Sequence, residues 1–179
     1  MPAGKPNHRV RTLIDQATIE GRVAQRAAEI DRDYQGSEGL IAIGVLKGSV
    51  FFFTDLVKRL RVPLAIDFFQ TTSYGAGTTA GEVRIKRDID LSVRGKDVLL
   101  VEDIVDSGLT LRYLKRNLES RNPASLEVCA LLLREGAADG ASLKYVGFEI
   151  PPDFVIGYGL DVAERYRNLP YICAYNEDI

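Results

Sequence analysis

The chain has 179 residues, 46% of them hydrophobic and 27% charged, which is enough apolar mass for one domain with its own core. Lysine and arginine number 23 against 25 aspartates and glutamates, and a net charge of −2 argues against a protein held to nucleic acid mainly by neutralising phosphates. Two cysteines, Cys129 and Cys173, and one histidine, His8, exclude a disulfide framework, a Ser–His–Asp triad, a Cys–His pair and a histidine zinc site. Apolar stretches such as residues 41–46 and 98–101 are too short to cross a bilayer, and residues 1–10 lack the apolar core of a secretory signal. A cytoplasmic location with no membrane partner is therefore expected.

Apolar positions first recur at steps of three or four at Ile19, Val23, Ala27, Ile30 and Tyr34, one face of a helix that Gly36 and Gly39 then break. Residues 40–45 read as a buried strand, followed by a short loop and a helix with Phe53, Leu56, Val57 and Leu60 on its apolar face. Pro63 punctuates, and residues 64–70 form the next strand. Residues 71–79 are glycine and hydroxyl residues with almost no apolar content, the composition of a mobile loop. The basic run at residues 84–87 suits a solvated strand edge. An unbroken apolar run, residues 98–101, leads straight into acids, and a helix with Leu111, Leu114 and Leu118 on one side follows. After the turn at Asn122 and Pro123, residues 126–133 form another strand, apolar except for Glu127. No repeat, low-complexity tract or long linker divides the chain, so residues 1–179 are expected to form a single domain.

Strands that are continuously apolar imply a sheet covered on both faces. Their alternation with helices predicts an α/β fold, an open, mostly parallel twisted sheet flanked by helices. Ligands bind beyond the carboxyl ends of such strands. There the segment from Val98 to Thr110 brings Glu102 and Asp103 to the sheet edge, and Asp106, Ser107, Gly108 and Thr110 form a turn that opens the next helix. Free N–H groups at a helix start, with its dipole, make an anion site. Gly108 has no Cβ to block a phosphate, and Ser107 and Thr110 add hydroxyl donors. Glu102 and Asp103 would repel a phosphate, so they need sugar hydroxyls, a hard Mg²⁺ ion, or both. An Asp or Ser before a helix is commonly only an N-cap. Three acids between positions 102 and 106, after a buried strand and before a Ser-Gly-x-Thr turn, are a more specific arrangement.

The stretch Glu102-Asp-Ile-Val-Asp-Ser-Gly-Leu-Thr110 resembles the phosphoribosyl-pyrophosphate (PRPP) signature of the type I phosphoribosyltransferases. Relatives acting on adenine, orotate or uracil share that signature, as does the synthetase that makes PRPP. Gly44-Val-Leu-Lys-Gly-Ser49, the run through Ser73-Tyr74, Val146-Gly-Phe-Glu-Ile150 and Asp153-Phe-Val-Ile-Gly-Tyr-Gly-Leu-Asp161 are similar to the hypoxanthine and hypoxanthine-guanine branch. The last two are the segments most specific to 6-oxopurine enzymes, and the resemblance runs from about Val10 to Tyr175.

The resemblance implies the type I fold with a small hood formed by the N-terminal segment and roughly residues 135–179. It also implies purine salvage: PRPP and hypoxanthine or guanine give IMP or GMP and pyrophosphate, with Mg²⁺. In the family, the residue matching Asp106 lies beside the purine N7 and handles its proton, so Asp106 is the implied catalytic residue. Those matching Glu102 and Asp103 hold the ribose hydroxyls and the metal, and those matching Ser107, Gly108, Leu109 and Thr110 wrap the 5′-phosphate. Some relatives carry a lysine in place of Leu109. Lys47 and Gly48, after a Leu–Lys peptide that can be cis, are implied at the pyrophosphate together with Arg167. Phe154 is implied to stack on the purine, the Val155 backbone to read its edge, and Asp161 to close the pocket and hold a metal through water. A lysine that donates to the purine O6 in relatives is here Arg134, with Lys144 as the fallback. Ser73 and Tyr74 match the pair that folds over bound substrates. Homodimers or homotetramers are expected by the same analogy.

Blander alternatives stand beside these roles: a solvated lysine at Lys47, a solvated strand-end arginine at Arg134, an ordinary flexible hairpin at residues 71–79. Competing functions are a sister enzyme preferring xanthine or guanine and an RNA-binding or PRPP-sensing regulator of the same fold. A receiver-like phosphate-binding domain would also place acids at strand ends, but it gives no reason for the Lys47, Phe154 and Arg167 segments.

Overall fold

The computed structural model describes residues 9–73, 83–137 and 143–176. The chain runs β1 (Arg9–Ile14), α1 (Gln16–Asp33), β2 (Leu40–Leu46), α2 (Val50–Val57), β3 (Leu64–Ser73), β4 (Val83–Arg87), β5 (Asp97–Val105), α3 (Leu109–Glu119), β6 (Ser125–Arg134), β7 (Tyr145–Ile150), β8 (Val155–Ile156) and β9 (Ile172–Asn176). Six strands form one sheet in the order β4-β3-β2-β5-β6-β7, and β1, β9 and β8 form a second, antiparallel sheet. In the main sheet only β4, on the edge, runs antiparallel to its neighbour. This is the open, mostly parallel α/β sheet that the sequence predicts.

The two faces follow from the period-two geometry of a strand. Leu99 and Val101 of β5 pack with Ile19, Val23 and Ile30 of α1 and with Phe52, Phe53 and Leu56 of α2. Val98 and Leu100 face the other way, onto Leu111, Leu114 and Leu118 of α3. Asp15 starts α1 by accepting the Thr18 N–H at 2.8 Å, an ordinary N-cap.

Three boundaries differ from the sequence expectation. Leu60 lies in a turn beyond α2, whose N–H bonds have already shifted to the tighter three-residue spacing at Leu60 and Val57. Strand β3 continues through Ser73, because Thr71, Thr72 and Ser73 pair with Ile85, Arg84 and Val83 of β4. Strand β5 does not stop at Val101 but carries its acids inside the ladder, with Glu102 opposite Ala130 and Val105 opposite Leu133. Of the residues expected in the hood, Tyr145–Ile150 pair with β6 in the main sheet, and the second sheet is built from β1, β8 and β9.

The strand order positions the site. After β2 the chain adds β3 on one side, then returns to place β5 on the other, so the topological switch point lies between β2 and β5. These two strands pair only from Leu40–Asp97 to Gly44–Val101, while β5 stays paired to β6 as far as Val105. The carboxyl end of β5 therefore has one open side, and Glu102 and Asp103 lie along it.

Candidate active site

A cavity of about 300 Å³ opens at this switch point, lined by the end of β2, Lys47 and Gly48, Glu102 to Val105, the turn at residues 106–108, the start of α3, and Asp161 and Arg167. Thr71 of β3 also borders it. Residues from four separate parts of the sequence thus meet at one strand end.

Helix α3 starts there without a side-chain cap: its N-cap is Gly108, held at φ 73°. That left-handed conformation suits glycine and strains other residues. Ser107 Oγ accepts from the Leu109 N–H only at a long 3.4 Å. The first turn of α3 therefore presents backbone N–H groups toward the cavity with little internal competition, a cradle for an anion.

The acids beside it are held uneasily. Glu102 is buried, and among the described residues no cation or donor pairs with it. Burial first, and the neighbouring Asp103 second, push its carboxyl well above the ordinary value. Burial likewise raises Asp103 to about 6, against the lowering effect of the Ile104 N–H, which it accepts at 2.9 Å, and of Arg167. Among the described residues Glu102 lacks a counter-charge, and Asp103 has only one backbone N–H and the more distant Arg167; burial of that kind costs free energy unless a ligand offsets it. Among the described residues no three His, Cys, Asp or Glu side chains are grouped as a protein cage for a metal. A pair of hard oxygen donors beside an open cavity instead fits Mg²⁺, which takes one or two carboxylates and completes its shell from water and substrate oxygens.

Gly48 is where the loop after β2 meets these acids. A Cβ there would overlap the Asp103 carboxylate, and a Cβ on Gly159 would overlap the Gly48 carbonyl. The second sheet's turn, the β2 loop and Asp103 are thus stacked with no room for side chains between them. The Leu46–Lys47 peptide is cis. Lys47 Nζ lies 3.0 Å from Glu164 Oε2. Arg167 donates to the Gly159 carbonyl at 2.7 Å and pairs with Asp161 Oδ1 at 2.8 Å and Glu164 Oε2 at 3.3 Å. The other oxygen of Asp161 accepts the Glu164 N–H at 2.8 Å, so each oxygen of that carboxylate already has one protein partner.

Arg134, Phe154 and Val155 lie outside the cavity lining, and one side chain connects them to it. Arg134 Nε sits 3.1 Å from Asp106 Oδ1, while its Nη1 donates to the Asp153 carbonyl at 2.7 Å. The Nε contact is an ion pair without the alignment of a hydrogen bond. Asp106 is 66% exposed and open to a ligand, whereas Arg134 is only 16% exposed and fixed. Phe154, 52% exposed, has its ring 6.1 Å from Tyr175, and Val155 is buried opposite Ala174. Lys144 lies at the opposite end of the sheet, with Asp33 at 3.3 Å and Glu127 at 3.9 Å. Geometry separates it from Asp106 and leaves Arg134 as the cation beside that acid. Ser73 closes β3, and Tyr74 lies outside the described residues.

Sequence reasoning missed three participants. Gly159 was within reach as half of a Gly-Tyr-Gly stretch. The Asp153 carbonyl carries no side-chain signal. Glu164 is one acid among 25 acidic residues and has no motif of its own.

A family model described as the phosphoribosyl transferase domain matches residues 10–163. The chain is 48% identical over 167 residues to the hypoxanthine-guanine phosphoribosyltransferase of Mycobacterium tuberculosis, covering 89% of this chain and 83% of that one. It is 42% identical over 168 residues to the hypoxanthine phosphoribosyltransferase of Escherichia coli, covering 92% and 94%. A crystal structure of a hypoxanthine-guanine phosphoribosyltransferase from Bacillus anthracis superposes with a TM-score of 0.86 at 43% identity, over 92% of this chain and 97% of that one.

Proposed function

The chain belongs to the phosphoribosyltransferase family, and from that premise we propose that it transfers the 5-phosphoribosyl group of PRPP to hypoxanthine or guanine, forming IMP or GMP and releasing pyrophosphate. The observation that carries this reading is the convergence on one cavity of an uncapped helix start, two poorly matched acids and two cations. A sugar bearing a phosphate at one end and a pyrophosphate at the other presents anions, hydroxyls and anions in that order.

The N–H groups at the start of α3, with Ser107, Gly108, Leu109 and Thr110, bind the 5′-phosphate. Glu102 and Asp103 accept from the ribose hydroxyls and hold Mg²⁺, with Asp161 behind them. When bound, the ion supplies neutralisation of charge on the leaving pyrophosphate. Lys47, the Gly48 backbone and Arg167 take the pyrophosphate, where the planar guanidinium suits an oxyanion. The bond to the anomeric carbon breaks with its electrons going to the pyrophosphate oxygen, so positive charge develops on the sugar, as in glycoside hydrolysis. N9 of the purine attacks that carbon, and the N7 proton passes to Asp106. No covalent intermediate on the enzyme is needed, in keeping with a chain that has a single histidine.

The pair formed by Asp106 and Arg134 supports a 6-oxopurine. N7 and O6 lie side by side on one edge of such a base. A carboxylate accepting from N7–H next to a guanidinium donating to O6 matches that edge, whereas adenine presents an amino group to the guanidinium and is refused. Phe154 stacks on the ring and the Val155 backbone reads its far edge. Ser73 and Tyr74 belong to the segment that closes over the site and keeps water from the sugar cation. A single domain, a hood over the strand ends, a homodimer or homotetramer and a cytoplasmic setting complete the reading. Among the described residues no helix is long and apolar enough to cross a membrane.

Incubation with PRPP, Mg²⁺ and each of hypoxanthine, guanine, xanthine and adenine, followed by chromatography, tests it. Nucleotide and pyrophosphate are expected from the first two. A preference for adenine overturns the roles of Arg134 and Phe154, and absence of product from every base overturns the whole reading.

A further inference from the structure

Ala163, Glu164 and Tyr166 have φ values of 50°, 63° and 73°, three of the five non-glycine residues with positive φ among the described residues. Backbone in that region is costly for ordinary side chains, and such strain persists where the surrounding structure requires it. Here it is enforced by the Asp161 carboxylate, which accepts the Glu164 N–H, and by the bridge between Val162 and Arg165. The effect is to turn the Glu164 carboxylate onto two cations at once, Lys47 Nζ at 3.0 Å and the Arg167 guanidinium at 3.3 Å. Lys47 comes first among the causes that hold its carboxyl below the ordinary value.

One strained residue therefore bridges two cations contributed by different sheets. At 64% side-chain exposure, with Lys47 at 53%, the bridge is not locked in by burial. Exposed ion pairs are weak and yield to a ligand of higher charge. Without the carboxylate, Lys47 would lose its contact at 3.0 Å and face Arg167, which would keep Asp161 at 2.8 Å and the Gly159 carbonyl at 2.7 Å.

We propose that Glu164 is the resident counter-ion of the pyrophosphate subsite. It holds Lys47 and Arg167 in place while the subsite is empty, gives way when pyrophosphate enters, and takes the cations back as it leaves. Glu164 is thus a positioning residue that sets pyrophosphate affinity below what the two cations alone would give. This rests on the assignment of Lys47 and Arg167 to pyrophosphate in the proposed function.

Titration calorimetry with pyrophosphate and Mg²⁺ on the intact chain tests it. Glu164→Gln should bind pyrophosphate about two- to five-fold more tightly than the wild type, the range expected when a weak exposed competitor is removed. Glu164→Asp should stay near the wild type. Glu119→Gln, at the far end of α3, controls for net charge and should change nothing. Glu164→Gly, which relaxes the positive φ while removing the carboxylate, should reproduce the gain, so a poorly folded Gln variant leaves the test intact. A loss of affinity on removing the carboxylate would mean that Glu164 only braces the cations, and equal affinity would mean that it does not compete. Either result overturns the proposal. Failure of the wild type itself to bind pyrophosphate would instead sink the assignment of the subsite, and the proposal with it.

Discussion

Strand β5 carries carboxylates at both ends, and the two ends treat them in opposite ways. At its start, Asp97 accepts the Ser125 hydroxyl at 2.7 Å and the Ser37 hydroxyl at 2.6 Å, and these bonds hold its carboxyl below the ordinary value. Beside it, Asp33 accepts the Tyr145 hydroxyl at 2.8 Å and pairs with Lys144, and is likewise held low, chiefly by the tyrosine. At the other end of the same strand, Glu102 and Asp103 are pushed up by burial. The two ends differ in burial and in supply: Asp33 is exposed and Asp97 partly so, each with hydroxyl donors, whereas Glu102 is buried and has none among the described residues. Where the chain provides donors for its acids, the acids hold the sheet together. Where it offers Asp103 a single backbone N–H and Glu102 nothing among the described residues, the acids await donors from outside, and the fold carries the cost.

The contrast can be broken experimentally, most severely at Asp106. Asp106→Asn should lower kcat by about 10²-fold or more while leaving the KM for PRPP nearly unchanged, because proton transfer is lost and sugar-phosphate binding is not. An unchanged rate would remove Asp106 from its role. Next in size, Arg134→Ala should narrow the preference for hypoxanthine over adenine by about ten-fold, the worth of one well-placed hydrogen bond to a polar edge. Lys144→Ala, at the opposite end of the sheet, should leave that ratio alone. The reverse pattern, read from competing-substrate assays, would relocate the O6 contact.

Asp103→Asn sharpens the comparison by pH. The Asp103 carboxyl titrates at about 6 in the fold against an ordinary value of 3.8, so the native chain holds the extra proton between these values. Stability from this group is greatest below about 4 and declines as pH rises to about 6. The variant should lose that slope and melt about 2 °C higher or more at neutral pH. In the wild type, the KM for PRPP should rise as pH falls through 6, where Asp103 becomes neutral. The smallest effect belongs to the matched end. Asp97→Ala should cost about 1 kcal/mol in denaturant unfolding by orphaning two hydroxyls, with no change in either KM.

Much of the fold can be read directly from residue spacing. Ile19, Val23, Ala27 and Ile30 are all buried on one face of α1, and Leu111, Leu114 and Leu118 on one face of α3. The apolar runs of β2, β5 and β6 are buried on both sides, as strands without alternation must be. Legibility fails where an element is held by pairing rather than by its own composition. The acids of β5 look like a strand's end and are kept in strand only by β6 alongside. Strand β8 has two residues, too few for any period, and exists because β9 comes back to it.

The candidate site divides in the same way. Within the segment from Glu102 to Thr110, the residue order alone dictates a buried strand, a pair of acids and a helix that starts on a glycine, because each of those outcomes depends on neighbours a few positions away. Which cation stands beside Asp106, which acids are left poorly matched and which carboxylate bridges Lys47 and Arg167 depended on where the chain folded back. Charge matching is a matter of ångströms between side chains, and residues 28 apart, like Asp106 and Arg134, or 117 apart, like Lys47 and Glu164, acquire their separation only from the tertiary fold.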